Sequence, residues 1–177
     1  MSTTTTDAPA GTWQLDPVHS TVGFEVAYLG GRFKGQFREV EASLEVAEMG
    51  TLAGTATVAS VDVKDENLAA HLQSPDFFDA ERHPRIAFRA TGLRFDGEQV
   101  AGEGEITIKG ETKPLEVAGT HVGPIQDAYG NDRVRITLNA TLDRTDFGVD
   151  WNTPLPSGEP ALANEVAIVG ELIFKAA

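Results

Sequence analysis

Along most of this chain apolar residues recur at every second position, the spacing of a strand with one buried face. Val22, Phe24, Val26 and Tyr28 share one face of a first predicted strand. Residues 32–46 read as a long strand with a phase slip. Phe33, Gly35 and Phe37 lie on one parity, and Val40, Ala42, Leu44 and Val46 on the other. A slip of one residue reverses the buried face unless a bulge absorbs it, which places a β-bulge near Arg38–Glu39. Further strands are predicted over 53–63, after Pro84 with Ile86 and Phe88 alternating, and over 100–109, 112–120, 133–142 and 165–175. The last two alternate cleanly, through Val134, Ile136, Leu138, Ala140 and Leu142, then Val166, Ile168, Gly170, Leu172 and Phe174.

One segment breaks this rhythm. Between Asp65 and Phe78, Leu68, Leu72 and the Ala69–Ala70 pair fall at helical spacing; Asp65 is placed to cap the start, and Ser74–Pro75 to end it. Asp76-Phe77-Phe78-Asp79 follows, two adjacent aromatics between acids. Regular strands separated by polar or glycine turns point to an antiparallel sandwich or barrel. Gly35, Ala56, Ala90, Gly102, Gly104, Ala140 and Gly170 lie in phase with the apolar faces. Two explanations stand: glycines kinking strands around a filled interior, or a closed sheet around space, since about eight strands enclose room for one small ligand.

The 177 residues fit one domain, with residues 1–11 predicted as a disordered lead and 12–177 as the folded unit. Acids outnumber bases 27 to 14, a formal charge of −13, which argues against nucleic acid or an anionic membrane surface as partner. Cysteine is absent, which excludes disulfides, thiolate metal sites and cysteine nucleophiles. The N-terminus has no basic start and no apolar run, and no stretch reaches the length of a membrane span, so a cytoplasmic location is expected.

Several short motifs, taken in order, carry a resemblance. Trp13-Gln14-Leu15-Asp16-Pro17-Val18-His19-Ser20-Thr21-Val22-Gly23-Phe24 opens it, followed by Gly31-Arg32-Phe33-Lys34-Gly35-Gln36-Phe37. It resumes at His71-Leu72-Gln73-Ser74-Pro75-Asp76-Phe77-Phe78-Asp79, His83-Pro84 and Phe88. It closes with Gly102-Glu103-Gly104, Ile106-Thr107-Ile108-Lys109-Gly110, Lys113-Pro114 and Arg144-Thr145-Asp146-Phe147-Gly148. The chain resembles the YceI-like proteins, a lipocalin-like group of lipid and polyisoprenoid binders. That resemblance implies an all-β fold, an extended eight-stranded antiparallel barrel with a short helical segment near 65–78. It also implies a polyisoprenoid or fatty lipid in the pore, with no catalytic residues and no cofactor. Relatives are often exported with a cleaved signal peptide, from which this hydrophilic start departs.

A ligand of that kind gains affinity from apolar burial, so branched and aromatic side chains should line the pore. The candidates are Phe24, Val26, Phe33, Phe37, Leu44, Val58, Phe88, Ile106, Ile108, Leu138 and Ile168. Leu68, Leu72, Phe77 and Phe78 are candidates for a lid or a plug at one end. His19, Ser20, His71, Arg144 and Asp146 are candidates for a polar headgroup; the alternative for Arg144 and Asp146 is a structural strut, in which they pair with each other or cap a loop. Two other classes remain in view. One is a structural or stress-associated barrel that dimerises. The other is a metal-dependent enzyme using His19, His71, His83, His121 and carboxylates, although no metal-ligand spacing, nucleophile elbow or phosphate loop occurs.

Overall fold

The computed structural model describes residues 9–177. In chain order the strands are β1 (Gly11–Leu15), β2 (Thr21–Tyr28), β3 (Gly31–Phe37), β4 (Val40–Val46), β5 (Gly50–Thr57) and β6 (Val61–Asp62). After helix α1 (Glu66–Gln73) come β7 (Arg85–Asp96), β8 (Gln99–Ile108), β9 (Glu111–Gln126), β10 (Asp132–Asp143) and β11 (Leu162–Ala176). Eight of these, β1–β4–β5–β7–β8–β9–β10–β11, form an antiparallel ring that closes where Leu15 pairs with Phe174 and Trp13 with Ala176. The expected barrel is therefore present. β11 is long enough to serve two partners, its first part pairing with β2 and its last residues with β1. β2 and β3 continue the wall beyond β1 and β4.

The phase slip in 32–46 is where the chain changes partner. β3 pairs with β2 up to Phe37, then β4 pairs with β1 and β5 from Val40 onward. Arg38 and Glu39 lie between, tied to Ser60 and Thr57 by backbone hydrogen bonds of 3.1 and 2.9 Å. Phe37 on one parity and Leu44 on the other are consequently both buried. Three expectations shift. The 53–63 strand is broken by a 3₁₀ turn at Val58–Ser60. The 112–120 strand extends over Glu111–Gln126. α1 stops at Gln73, leaving Phe77 and Phe78 in the following turns. Asp65 caps α1 as expected, accepting from the amides of Asn67 and Leu68. Of the lead expected over 1–11, residues 1–8 lie outside the described residues; Pro9 is buried, accepting a 2.7 Å hydrogen bond from the Trp13 indole, and Gly11 opens β1.

Between β1 and β2 the chain turns on Asp16. Its carboxylate accepts hydrogen bonds from His19 Nδ1 and Arg133 Nη1, both at 2.8 Å, and from the Val18 amide at 3.0 Å. The His19 bond, then those of Arg133 and Val18, hold the Asp16 carboxyl down at about 2. A carboxyl whose folded pKa lies below its unfolded one stabilises the fold fully above the ordinary value near 3.8, and that contribution is lost progressively as pH falls through about 2. Allowing for solvent screening of exposed His19, it amounts to about 1–2 kcal/mol. Asp16→Asn is expected to lower stability by that amount at pH 7 and by well under half of it near pH 2. Urea unfolding at both pH values checks this, and an equal loss at both would refute the assignment.

The end of the barrel around β1 is solid. Leu44, Leu93, Val100, Val134, Ile136 and Phe174 are each 0–1% exposed. His121 lies among them, fully buried, its ring edge-on to Phe95 with centroids 5.2 Å apart. Neither of its ring nitrogens reaches a hydrogen-bond partner among the described residues. A buried polar group without partners costs about 1–3 kcal/mol, so His121→Leu is expected to raise stability by a comparable amount. A lower melting temperature for His121→Leu would show that the imidazole is satisfied in solution.

Candidate functional site

The other half of the barrel is hollow. A cavity of about 300 Å³ lies under α1 and the turns that follow it. A second, of about 140 Å³, lies in the barrel interior and shares Val22, Ala56, Ile86, Ile106 and Ile168 with the first. The two adjoin across these five residues, a stepped apolar chamber in two parts.

Strand alternation brings the inner residues together. Phe24, Val26, Phe33, Phe37, Ile106, Ile108 and Ile168 line the larger cavity, as do Leu68, Leu72, Phe77 and Phe78. Phe88 and Leu138 line the smaller one, with Ile106 and Ile168 again. Leu44 and Val58 are exceptions: both point into close-packed core, at 0% and 1% exposure, and border neither cavity. Phe78 packs on Phe24 and Phe37 with centroids 6.4 and 5.8 Å away, while Phe77, His71 and Trp151 form a second aromatic group within 5.4 Å. Lys109 Nζ donates to the carbonyls of Pro75 and Gly148, tying the turn after α1 to the loops around it.

The small inner residues divide into two kinds. Ala56, Ala140 and Gly170 border the chamber. Gly35 and Gly104 instead sit beneath aromatic rings, where a Cβ would come within 2.6 Å of Phe24 and of the Arg89 carbonyl respectively. Gly102 is likewise crowded by Leu93, and Ala90 is 1% exposed in the core. Cross-strand glycines of this kind make room for a ring and leave no void.

Of the polar candidates, His71 and Arg144 line the larger cavity, and His19, Ser20 and Asp146 do not. His19 is exposed beside Asp16, Ser20 Oγ is bonded to the backbone of Ile173, and Asp146 is exposed. The Arg144–Asp146 pairing is absent among the described residues. Arg144 instead donates through Nε to the Ala163 carbonyl and through Nη1 to those of Val149 and Trp151, at 2.7–2.8 Å. It holds the 3₁₀ turn Arg144–Phe147 and the following loop against β11. Burial pulls its pKa below the ordinary arginine value.

Several lining residues were outside the sequence-derived set. Ile86, Leu142 and Val166 continue the inward parity of Phe88, Leu138 and Ile168 and were findable by extending those strands. Trp151, Val149 and Phe147 come from a loop and a 3₁₀ turn, where no period exists to read.

The wall is incomplete at one place. The β9–β10 ladder ends where Ala118 pairs with Asn139, although β9 begins at Glu111 and β10 runs on to Asp143. A surface groove lies there, and Leu115, Val117, Asn139, Ala140 and Ile168 line both the groove and the smaller cavity.

A closed barrel, its mouth roofed by the helix and the Phe77–Phe78 turn, surrounds an apolar interior, and residues 13–174 match the YceI-like domain. The chain belongs to the YceI-like family. Its relatives include a UPF0312 protein of Vibrio cholerae, 29% identical over 138 residues, covering 74% of this chain and 72% of the relative. Another, from Staphylococcus aureus, is 28% identical over 161 residues, covering 86% and 90%. Among solved structures, Burkholderia cenocepacia BcnA superposes with a TM-score of 0.78 at 22% identity, over 90% of this chain and 98% of that one. A polyisoprenoid binding domain from Saccharophagus degradans superposes with a TM-score of 0.70 at 10% identity, over 93% and 98%. The two structural likenesses show a shared fold. Among the described residues of this YceI-like chain no three His, Asp or Glu side chains gather as a metal site, and no helix is long and apolar enough to cross a membrane.

Proposed function

We propose that this protein binds an isoprenoid or other long-chain amphiphile in the barrel chamber without chemically altering it. The observation that carries this reading is the chamber itself, a stepped cavity whose walls are almost wholly aliphatic and aromatic. A flexible hydrocarbon chain offers little to hydrogen-bond, so its affinity must come from apolar surface removed from water, about 25 cal/mol per Å². A pre-formed cavity spares the opening step and leaves more of that gain as net affinity. Family membership and the likeness to the Saccharophagus degradans domain support the isoprenoid class. The apolar candidates that line the chamber are its proposed tail contacts, Phe24, Phe33, Phe88 and Ile168 foremost, with Leu68, Leu72, Phe77 and Phe78 covering the mouth.

Native mass spectrometry of the purified protein, followed by solvent extraction and lipid analysis, tests this. A stoichiometric adduct that extracts as an isoprenoid or fatty compound is expected, and the stripped protein should take up retinol. A stripped, folded protein that binds no apolar probe would end the proposal.

A further inference from the structure

The chamber contains one feature that a plain hydrocarbon does not explain. Arg144 is 5% exposed, lines the larger cavity, and is the lining residue with a permanent charge; no lining residue is acidic. Its Nε and Nη1 are occupied by three backbone carbonyls, while Nη2 is buried without an acceptor among the described residues. No carboxylate lies within ion-pair distance of the guanidinium among the described residues. Asp143 directs its carboxylate to the Thr145 amide and hydroxyl, at 2.9 and 2.6 Å. Asp146 and Asp150 are exposed, and Asp76 pairs with His71 at 3.1 Å. Asp143 and Asp150 attract the guanidinium from beyond ion-pair distance, but no counter-charge stands in the cavity itself, and burying a cation without a close partner costs several kcal/mol.

We propose that the bound amphiphile supplies that counter-charge: its headgroup is an anionic oxygen, a carboxylate in the simplest case, held on the Arg144 side of the larger cavity with the tail running towards Ala56 and the smaller cavity. This inference rests on the chamber being a lipid site and adds the chemical class of the head. In a wall of low dielectric the attraction acts over several ångströms, and a direct bond to Nη2 would be charge-assisted, roughly twice as strong as a neutral one. The assignment also accounts for the place of the cation. It is bonded to the carbonyl of Trp151, whose ring packs on His71 of α1 near the mouth, where a head follows its tail in.

Three probes with one isoprenoid skeleton test it: retinoic acid, retinol and methyl retinoate, titrated into stripped wild-type protein at neutral pH by probe fluorescence and tryptophan quenching. Retinoic acid is expected to bind at least about tenfold more tightly than the alcohol or the ester, equivalent to 1.4 kcal/mol. Arg144→Met should erase that preference, so that acid, alcohol and ester bind alike whatever their common affinity becomes, and Arg144→Lys should keep part of it. An arginine that served only as a strut would change stability without changing the ratio of acid to alcohol. Equal affinities for the three probes, or a preference that survives in a folded Arg144→Met, would overturn the headgroup assignment and leave lipid binding standing. If Arg144→Met fails to fold, the wild-type ratio decides alone. Failure of all three probes would instead overturn the lipid site.

Discussion

Ala56→Phe is expected to abolish retinol binding, lowering affinity at least about 100-fold, while the barrel remains folded. Ala56 borders both cavities, and its side chain stands at the step between them. A benzyl group there fills the passage and confines any guest to the larger cavity, which removes tail burial that the affinity depends on. Two factors of ten correspond to about 2.8 kcal/mol, the transfer energy of a few methylenes, so the effect is well within what blocking the passage withdraws. Circular dichroism and the melting temperature establish folding; retinol fluorescence gives the affinity. Unchanged binding in a folded variant would mean that the guest never passes the step. Gly104→Phe makes an informative contrast. Gly104 looks like a pore position by parity, but an added Cβ meets the Arg89 carbonyl at 2.6 Å, so that substitution should disrupt the β7–β8 wall and not the passage.

Phe174→Ala is expected to cost about 3–5 kcal/mol, the usual range for a buried phenylalanine whose surroundings cannot collapse. Phe174 is 0% exposed, pairs with Leu15 where the ring of strands closes, and faces Val134 on its other side. Phe24→Ala removes the same atoms at a half-buried position that already borders empty volume, so it should cost less than half as much. Guanidinium unfolding of the two variants measures the difference. Similar losses would indicate that the chamber is as tightly filled as the closed end.

Strand parity was the most legible part of this molecule. It located the faces of β2, β7, β10 and β11, and the reversal at Arg38–Glu39 was visible because two apolar registers cannot share one face without a break. The cap at Asp65 was legible for the same local reason. β1 was not, since Gly11–Leu15 presents only Trp13 and Leu15 as alternating apolar residues, too short a run to carry a period. The emptiness of the barrel was legible only in part. Gly35 and Ala140 look alike in sequence, yet one receives the Phe24 ring from across the ladder and the other borders open volume; that difference lies in the neighbouring strand, not in the residue. Arg144 was recognisable as a candidate, but its partners are backbone carbonyls at 149, 151 and 163, which no side-chain pattern announces.

The interrupted pairing of β9 with β10 has a consequence for solubility. Closing a sheet into a cylinder normally leaves no free strand flank for another molecule to extend. Here a short flank survives along 111–117, and its composition reads as protection: Pro114 offers no amide to an incoming strand, and Glu111 and Glu116 are exposed charges that repel a second copy of so acidic a chain.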